Sequence, residues 1–136
     1  MPNEFIPQRR PSVLLIYTGG TIGMVRNEET GALENFNFDR LLEQVPELRR
    51  FNYKISTYTF APPIDSSDML PEHWGKIVKI IEYNYESFDG FVILHGTDTM
   101  AYTASMLTFM LPGIDGFEVC RRIRATGSKI GIIMLT

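Results

Sequence analysis

Three stretches able to form strands, each stopped by a loop dense in glycine, hydroxyl and carboxylate side chains, constrain this chain more than any other feature. Val13 to Tyr17 is a continuous apolar run halted by Gly19-Gly20, and Gly90 to Leu94 is another, halted by His95-Gly96. Between them, Tyr53 to Phe60 alternates loosely and ends at Ala61-Pro62-Pro63. Apolar runs without polar alternation are expected of strands covered on both faces in a parallel sheet. Pro71-Glu72 suits the first turn of a helix, and Trp74, Ile77, Val78, Ile81 and Tyr85 form its apolar stripe. A second helix should run from a cap at Asp98 or Thr99 to about Leu111. A shorter one is expected to start at Asn37 or Asp39 and carry Leu41, Leu42, Val45 and Leu48, with Pro46 weakening it. Gly23 to Asn37 reads as a mobile loop or a loose hairpin.

The order of strands and helices implies an α/β fold with an open, mainly parallel sheet and flanking helices in three layers. With 136 residues the chain has room for one such domain, and 44% hydrophobic with 21% charged residues argues against a disordered polymer. A net charge of -3 attracts neither nucleic acid nor an anionic membrane, so a small-molecule partner is expected. A single cysteine, Cys120, cannot form an internal disulfide, and Met1 to Arg10 lacks the apolar run of a secretory signal. A cytoplasmic setting is therefore expected. No apolar run approaches the roughly 20 residues needed to span a bilayer.

In open α/β sheets ligands bind beyond the carboxyl ends of the strands. There this chain places Thr18-Gly19-Gly20-Thr21-Ile22-Gly23, Asp65-Ser66-Ser67-Asp68-Met69 and His95-Gly96-Thr97-Asp98-Thr99. Taken alone, Thr-Gly-Gly-Thr is a glycine-rich turn without the lysine of a phosphate loop. Its two glycines also let backbone N–H groups approach a developing oxyanion, with Thr21 beside them. A threonine hydroxyl needs a base to attack a carbonyl, so Thr21 alone is insufficient. Asp65 and Asp68 lack further ligands at metal-binding spacing, and no metal or cofactor is expected. His95 is expected to be structural, Cys120 a small buried hydrophobe, and Arg121, Arg122 and Arg124 a solvated face.

Together the three loops resemble the bacterial type I L-asparaginases over roughly residues 12–111. The resemblance rests on Tyr17-Thr18-Gly19-Gly20-Thr21-Ile22-Gly23-Met24, on Asp65-Ser66-Ser67-Asp68-Met69, and on the run from Asp89 through His95-Gly96-Thr97-Asp98-Thr99 to Ala104. It implies conversion of L-asparagine to L-aspartate and ammonia through an acyl-enzyme. Thr21 would be the nucleophile and Thr97 the second catalytic hydroxyl; Asp98 would hold the substrate ammonium and Ser66 its carboxylate, assisted by Asp65. The resemblance also implies a lysine that activates the second threonine, a C-terminal domain and a homo-oligomer. None of Lys54, Lys76, Lys79 or Lys129 stands in that lysine's context, and 136 residues do not supply the second domain, so these residues alone are expected to show little or no turnover.

The text changes after Leu111. Residues 1–111 carry 9 basic and 14 acidic side chains, whereas residues 112–136 carry 4 and 2, so the charge reverses sign near Pro112. Leu111 to Arg124 and Ile130 to Thr136 resemble the middle of a response-regulator receiver domain, with an amphipathic helix from about 115 to 125 and a strand from Lys129 to Leu135. This suggests a chimera of an asparaginase-like segment, 1–111, and a receiver-like segment, 112–136, packed into one domain, natural or engineered. An alternative is therefore an artificial α/β chimera without activity. A phosphorelay role is disfavoured, because Thr108 stands where the resemblance would put the phosphoacceptor aspartate.

Overall fold

Strand β1, Ser12–Tyr17, lies at the centre of the sheet and fixes where everything else can pack. The computed structural model describes residues 9–35, 37, 45–111 and 131–135, the last segment through its backbone pairing. In chain order β1 is followed by the short strands β2, Met24–Arg26, and β3, Leu33–Asn35, then β4, Lys54–Thr59, helix α1, Pro71–Asn84, strand β5, Gly90–Leu94, helix α2, Met100–Met110, and β6, Gly131–Leu135.

The main sheet has the order β4-β1-β5-β6 and every pairing is parallel. Ser12 to Tyr17 pair in register with Lys54 to Thr59, while Val13 to Tyr17 pair with Gly90 to Leu94. The carboxyl ends Tyr17, Thr59 and Leu94 therefore finish along one edge. The ladder continues one residue further, where the Thr18 N–H and hydroxyl both donate to the Leu94 carbonyl at 3.0 and 2.9 Å. The open, mainly parallel α/β fold expected from the apolar runs is thus the one observed.

One face of the sheet carries the main core. Leu14, Ile16, Phe91 and Ile93 meet Ile77, Val78, Ile80 and Ile81 of α1 and Leu107 of α2. Burying that many aliphatic side chains, at about 25 cal/mol for each Å² of apolar surface removed from water, is the main drive holding both helices to the sheet. Tyr17 and Leu94 point to the other face, with Leu15 and Val92 partly covered beside them.

Several expectations need correction. Tyr85 lies one residue beyond α1 and is exposed, and Ile80 takes a buried place that the expected stripe omitted. The α-helical ladder ends at Asn84, and the Tyr85 N–H bonds to the Glu82 carbonyl in a tighter turn at 3.3 Å. Thr99 stands at the N-cap of α2, one of the two positions expected, but its side chain makes no cap bond, and the Thr99 and Asp98 side chains are drawn across to the Ser66 loop instead. Where a helix over Leu41 to Leu48 was expected, the described part is a 3-10 turn, Pro46–Arg50, starting at the proline. Residues 38–44, and with them the layer that helix would form, lie outside the described residues, as does the expected helix 115–125. Of the two readings of residues 23–37, the hairpin is observed: β2 and β3 pair antiparallel, Met24 opposite Asn35 and Arg26 opposite Leu33. No described helix is long and apolar enough to cross a membrane.

Candidate active site

The chain leaves β1 toward β4 on one side and leaves β5 toward β6 on the other, so the crevice at their carboxyl ends is a topological switch point. Loops diverging from such a point leave room for a ligand between them. A cleft of about 430 Å³ opens there, a size suited to a small molecule. It is lined by Thr21 from the first loop, Asp65 and Ser66 from the second, and Thr97 and Asp98 from the third. All five residues expected to form a site are therefore brought to one place. Ile22, Met24, Pro63 and Ile64 supply apolar wall, a role not expected of any of them from the sequence.

Missing side chains set how close the loops can come. Gly20 has φ +96 with ψ 163, a conformation that L side chains resist, and a Cβ on it would stand 2.9 Å from Cα of Gly96. A Cβ on Gly96 would in turn lie 2.5 Å from the Ser66 hydroxyl oxygen. The first loop thus rests on the third backbone against backbone, and the third rests on the second through the Ser66 side chain. The phenol of Tyr17, buried and raised in pKa by that burial, donates from its hydroxyl to the Gly20 carbonyl at 2.8 Å. This bond anchors the turn Thr21–Gly23 from below, while Thr21 itself is exposed to the cleft.

Ser66 is buried and is the junction of the site. Its hydroxyl donates to Oδ2 of Asp98 at 3.2 Å, and its carbonyl accepts from the Thr99 hydroxyl at 2.6 Å. Asp65 works differently. Its Oδ1 accepts from the Ser67 N–H at 2.9 Å and the Ser67 hydroxyl at 2.8 Å, capping the 3-10 turn Ser66–Asp68. The backbone donor first, and the hydroxyl second, hold the Asp65 carboxyl below its ordinary pKa. One of its oxygens is therefore committed to shaping the loop that carries Ser66.

His95 is fully buried at the base of the third loop, as expected of a structural residue. Its ring is bonded at both nitrogens, Nδ1 to the Gly96 carbonyl at 2.7 Å and Nε2 to the Thr103 hydroxyl at 2.8 Å. Thr103 also accepts from the Trp74 indole N–H at 2.8 Å. This chain of bonds was not foreseen; the one trace of it in the sequence is a threonine on the apolar face of α2. Among the described residues no group of three or more metal-ligating side chains occurs. The described lysines lie elsewhere: Lys54 starts β4 at the opposite edge of the sheet, Lys76 packs its ammonium 4.4 Å from the centre of the Phe60 ring, and Lys79 is exposed on α1.

With this geometry in view, the family described as Asparaginase, N-terminal, matches residues 12–116. The chain belongs to the asparaginase family. It is 44% identical to L-asparaginase 1 of Escherichia coli K12 over 93% of its own length, which is 36% of that enzyme. Among solved structures it resembles L-asparaginase I from Vibrio cholerae, with a TM-score of 0.63 and 44% identity over 74% of this chain and 30% of that one. The thermostable L-asparaginase from Thermococcus kodakarensis gives a TM-score of 0.61 at 36% identity, over 72% of this chain and 29% of that one. The chain thus spans about a third of the length of these relatives.

Proposed function

We propose that this chain carries the nucleophile and the amino-acid-binding loops of an L-asparaginase, which releases ammonia from L-asparagine through an acyl-enzyme. The observation that carries this reading is the convergence of Thr21, Ser66, Thr97 and Asp98 on one cleft, with Ser66 bonded to Asp98. An amino-acid substrate is a zwitterion and needs an anion for its ammonium and donors for its carboxylate. Asp98 supplies the first and the Ser66 hydroxyl the second, turning from Asp98 to the incoming carboxylate as the ammonium takes its place. The Asp65 carboxylate, fixed on the Ser67 donors, keeps the Ser66 turn in position.

Attack by the Thr21 hydroxyl on the side-chain amide forms an ester and expels ammonia, and water then releases L-aspartate. Thr97, across the cleft, is the second hydroxyl of the proton path. A hydroxyl near neutral pH requires a base, and no described lysine lines the cleft, so the 136 residues alone are expected to turn over near background. Groups that act as one unit lose their effect together when one is absent. The reaction needs no metal or cofactor in this scheme.

Ammonia release from L-asparagine, measured against a Thr21→Ala control, tests the assignment. The same residual rate above buffer in both proteins would remove Thr21 from the role of nucleophile. For residues 112–136 a receiver-like origin is proposed on the charge reversal near Pro112, although the asparaginase family match runs to residue 116 and the Escherichia coli relative aligns over 93% of the chain, past residue 111; β6 completes the sheet beside β5. Because Thr108 stands at the phosphoacceptor place, treatment with acetyl phosphate should leave no labile acyl phosphate, and stoichiometric labelling would contradict the exclusion of a phosphorelay role.

A further inference from the structure

The hydrogen-bond chain beneath the third loop has a direction, and the direction can be read from its chemistry. An indole N–H only donates, so Trp74 gives its proton to the Thr103 hydroxyl oxygen. A carbonyl only accepts, so the bond between His95 Nδ1 and the Gly96 carbonyl requires a proton on Nδ1. Burial holds the His95 ring below its ordinary pKa, against the raising effect of the Gly96 bond, so the ring is neutral and Nε2 carries a lone pair. The Thr103 hydroxyl therefore donates to Nε2. Each donor in the path has one acceptor, and no polar atom of it is left without a partner.

The Gly96 carbonyl belongs to the same planar peptide unit as the Thr97 N–H, and in a trans peptide the two point in opposite directions. Fixing the carbonyl against the buried ring fixes the rotation of that peptide. It thereby sets the backbone from which Thr97 and Asp98 project into the cleft. Gly96 is also the surface on which Gly20 rests and against which Ser66 packs, so a rotation of this peptide would disturb all three loops.

We propose that His95 is a positioning residue of the site, held as the neutral Nδ1–H tautomer by Trp74 and Thr103 so that it locks the Gly96–Thr97 peptide in its working orientation. The proposal rests on the functional reading above, since it takes the cleft to be an amino-acid site. It assigns His95 no contact with substrate and no proton in the reaction.

The test uses the whole 136-residue chain and its conservative variants. Nitrogen resonances of the His95 ring should show a protonated Nδ1 and an unprotonated Nε2; the opposite tautomer would overturn the proposal. The amide of Asn can stand in for Nδ1 and that of Gln for Nε2. His95→Asn should then keep the Thr97 and Asp98 amide resonances near their wild-type positions, while His95→Gln should displace them. L-aspartate binding should survive in His95→Asn and weaken about tenfold in His95→Gln, the scale of one lost hydrogen bond. Equal effects of the two substitutions would overturn the proposal. Should either variant fail to fold, Thr103→Val against Thr103→Ser asks the same question from the other side of the ring, with the loop displaced in the first and kept in the second. A wild-type chain that ignores L-aspartate would sink the functional reading, and the lock would then stand or fall by the ring and amide resonances.

Discussion

Replacing Gly20 by alanine tests the claim that the loops at the carboxyl edge of the sheet are built in contact. At φ +96 and ψ 163 an alanine is strained by about 1–3 kcal/mol. Its Cβ would also lie 2.9 Å from both Cα and N of Gly96, backbone atoms that cannot turn aside. Forcing extra volume into such a packed place adds about 1–3 kcal/mol. Gly20→Ala should therefore lose about 2–6 kcal/mol of stability, much of the margin available to a domain of this size. Gly31 is the internal control: its φ is +70, yet a Cβ there meets nothing within 4 Å. Gly31→Ala should pay only the conformational term, about 1–2 kcal/mol. Urea unfolding of both variants, extrapolated linearly, gives the comparison. A Gly20→Ala loss no larger than that of Gly31→Ala would show that the first loop does not rest on the third.

Asp89 accepts from Arg9 at 2.6 Å and from the Ser12 N–H at 2.7 Å, bonds that lower its pKa from 3.8 to about 2. A depressed carboxyl stabilises the fold above its unfolded pKa, and the benefit fades as pH falls toward the folded value. The urea midpoint should thus drop between about pH 4 and 2, and Asp89→Asn should flatten that drop; an unchanged profile would contradict the linkage. Gly75 lies inside α1 with open space where a Cβ would go, so Gly75→Ala should raise stability by about 0.5–1 kcal/mol, and a loss would mean that the space is not open. Ser66→Ala should weaken L-aspartate binding about tenfold while costing about 1 kcal/mol of stability, and a large stability loss with unchanged binding would make Ser66 a fold residue.

What could be read without coordinates followed from side chains whose job is local. The runs Val13 to Tyr17 and Gly90 to Leu94 could only be buried strands, and they are neighbours in the sheet. The five site residues could be named because their three loops resemble the asparaginase motifs, and the fold brings them to one cleft. The rest depended on partners far apart in the chain. Asp98 and Thr99 have the composition of helix caps, yet Ser66, 32 and 33 residues away, draws their side chains off. The Trp74–Thr103–His95 path joins residues on two helices and a strand end, and no spacing rule links them. Tyr85 shows the limit of periodicity, which extends a stripe but does not say where the chain leaves the helix.

The most direct test of the central claim is an amide-resolved titration of the chain with L-aspartate, the product that the cleft is proposed to hold. The account predicts that resonances of Thr21, Ser66, Thr97 and Asp98, from three separate loops, move together along one saturating curve. A titration in which these resonances stay still, or in which the responding residues lie away from the carboxyl edge of the sheet, would contradict it.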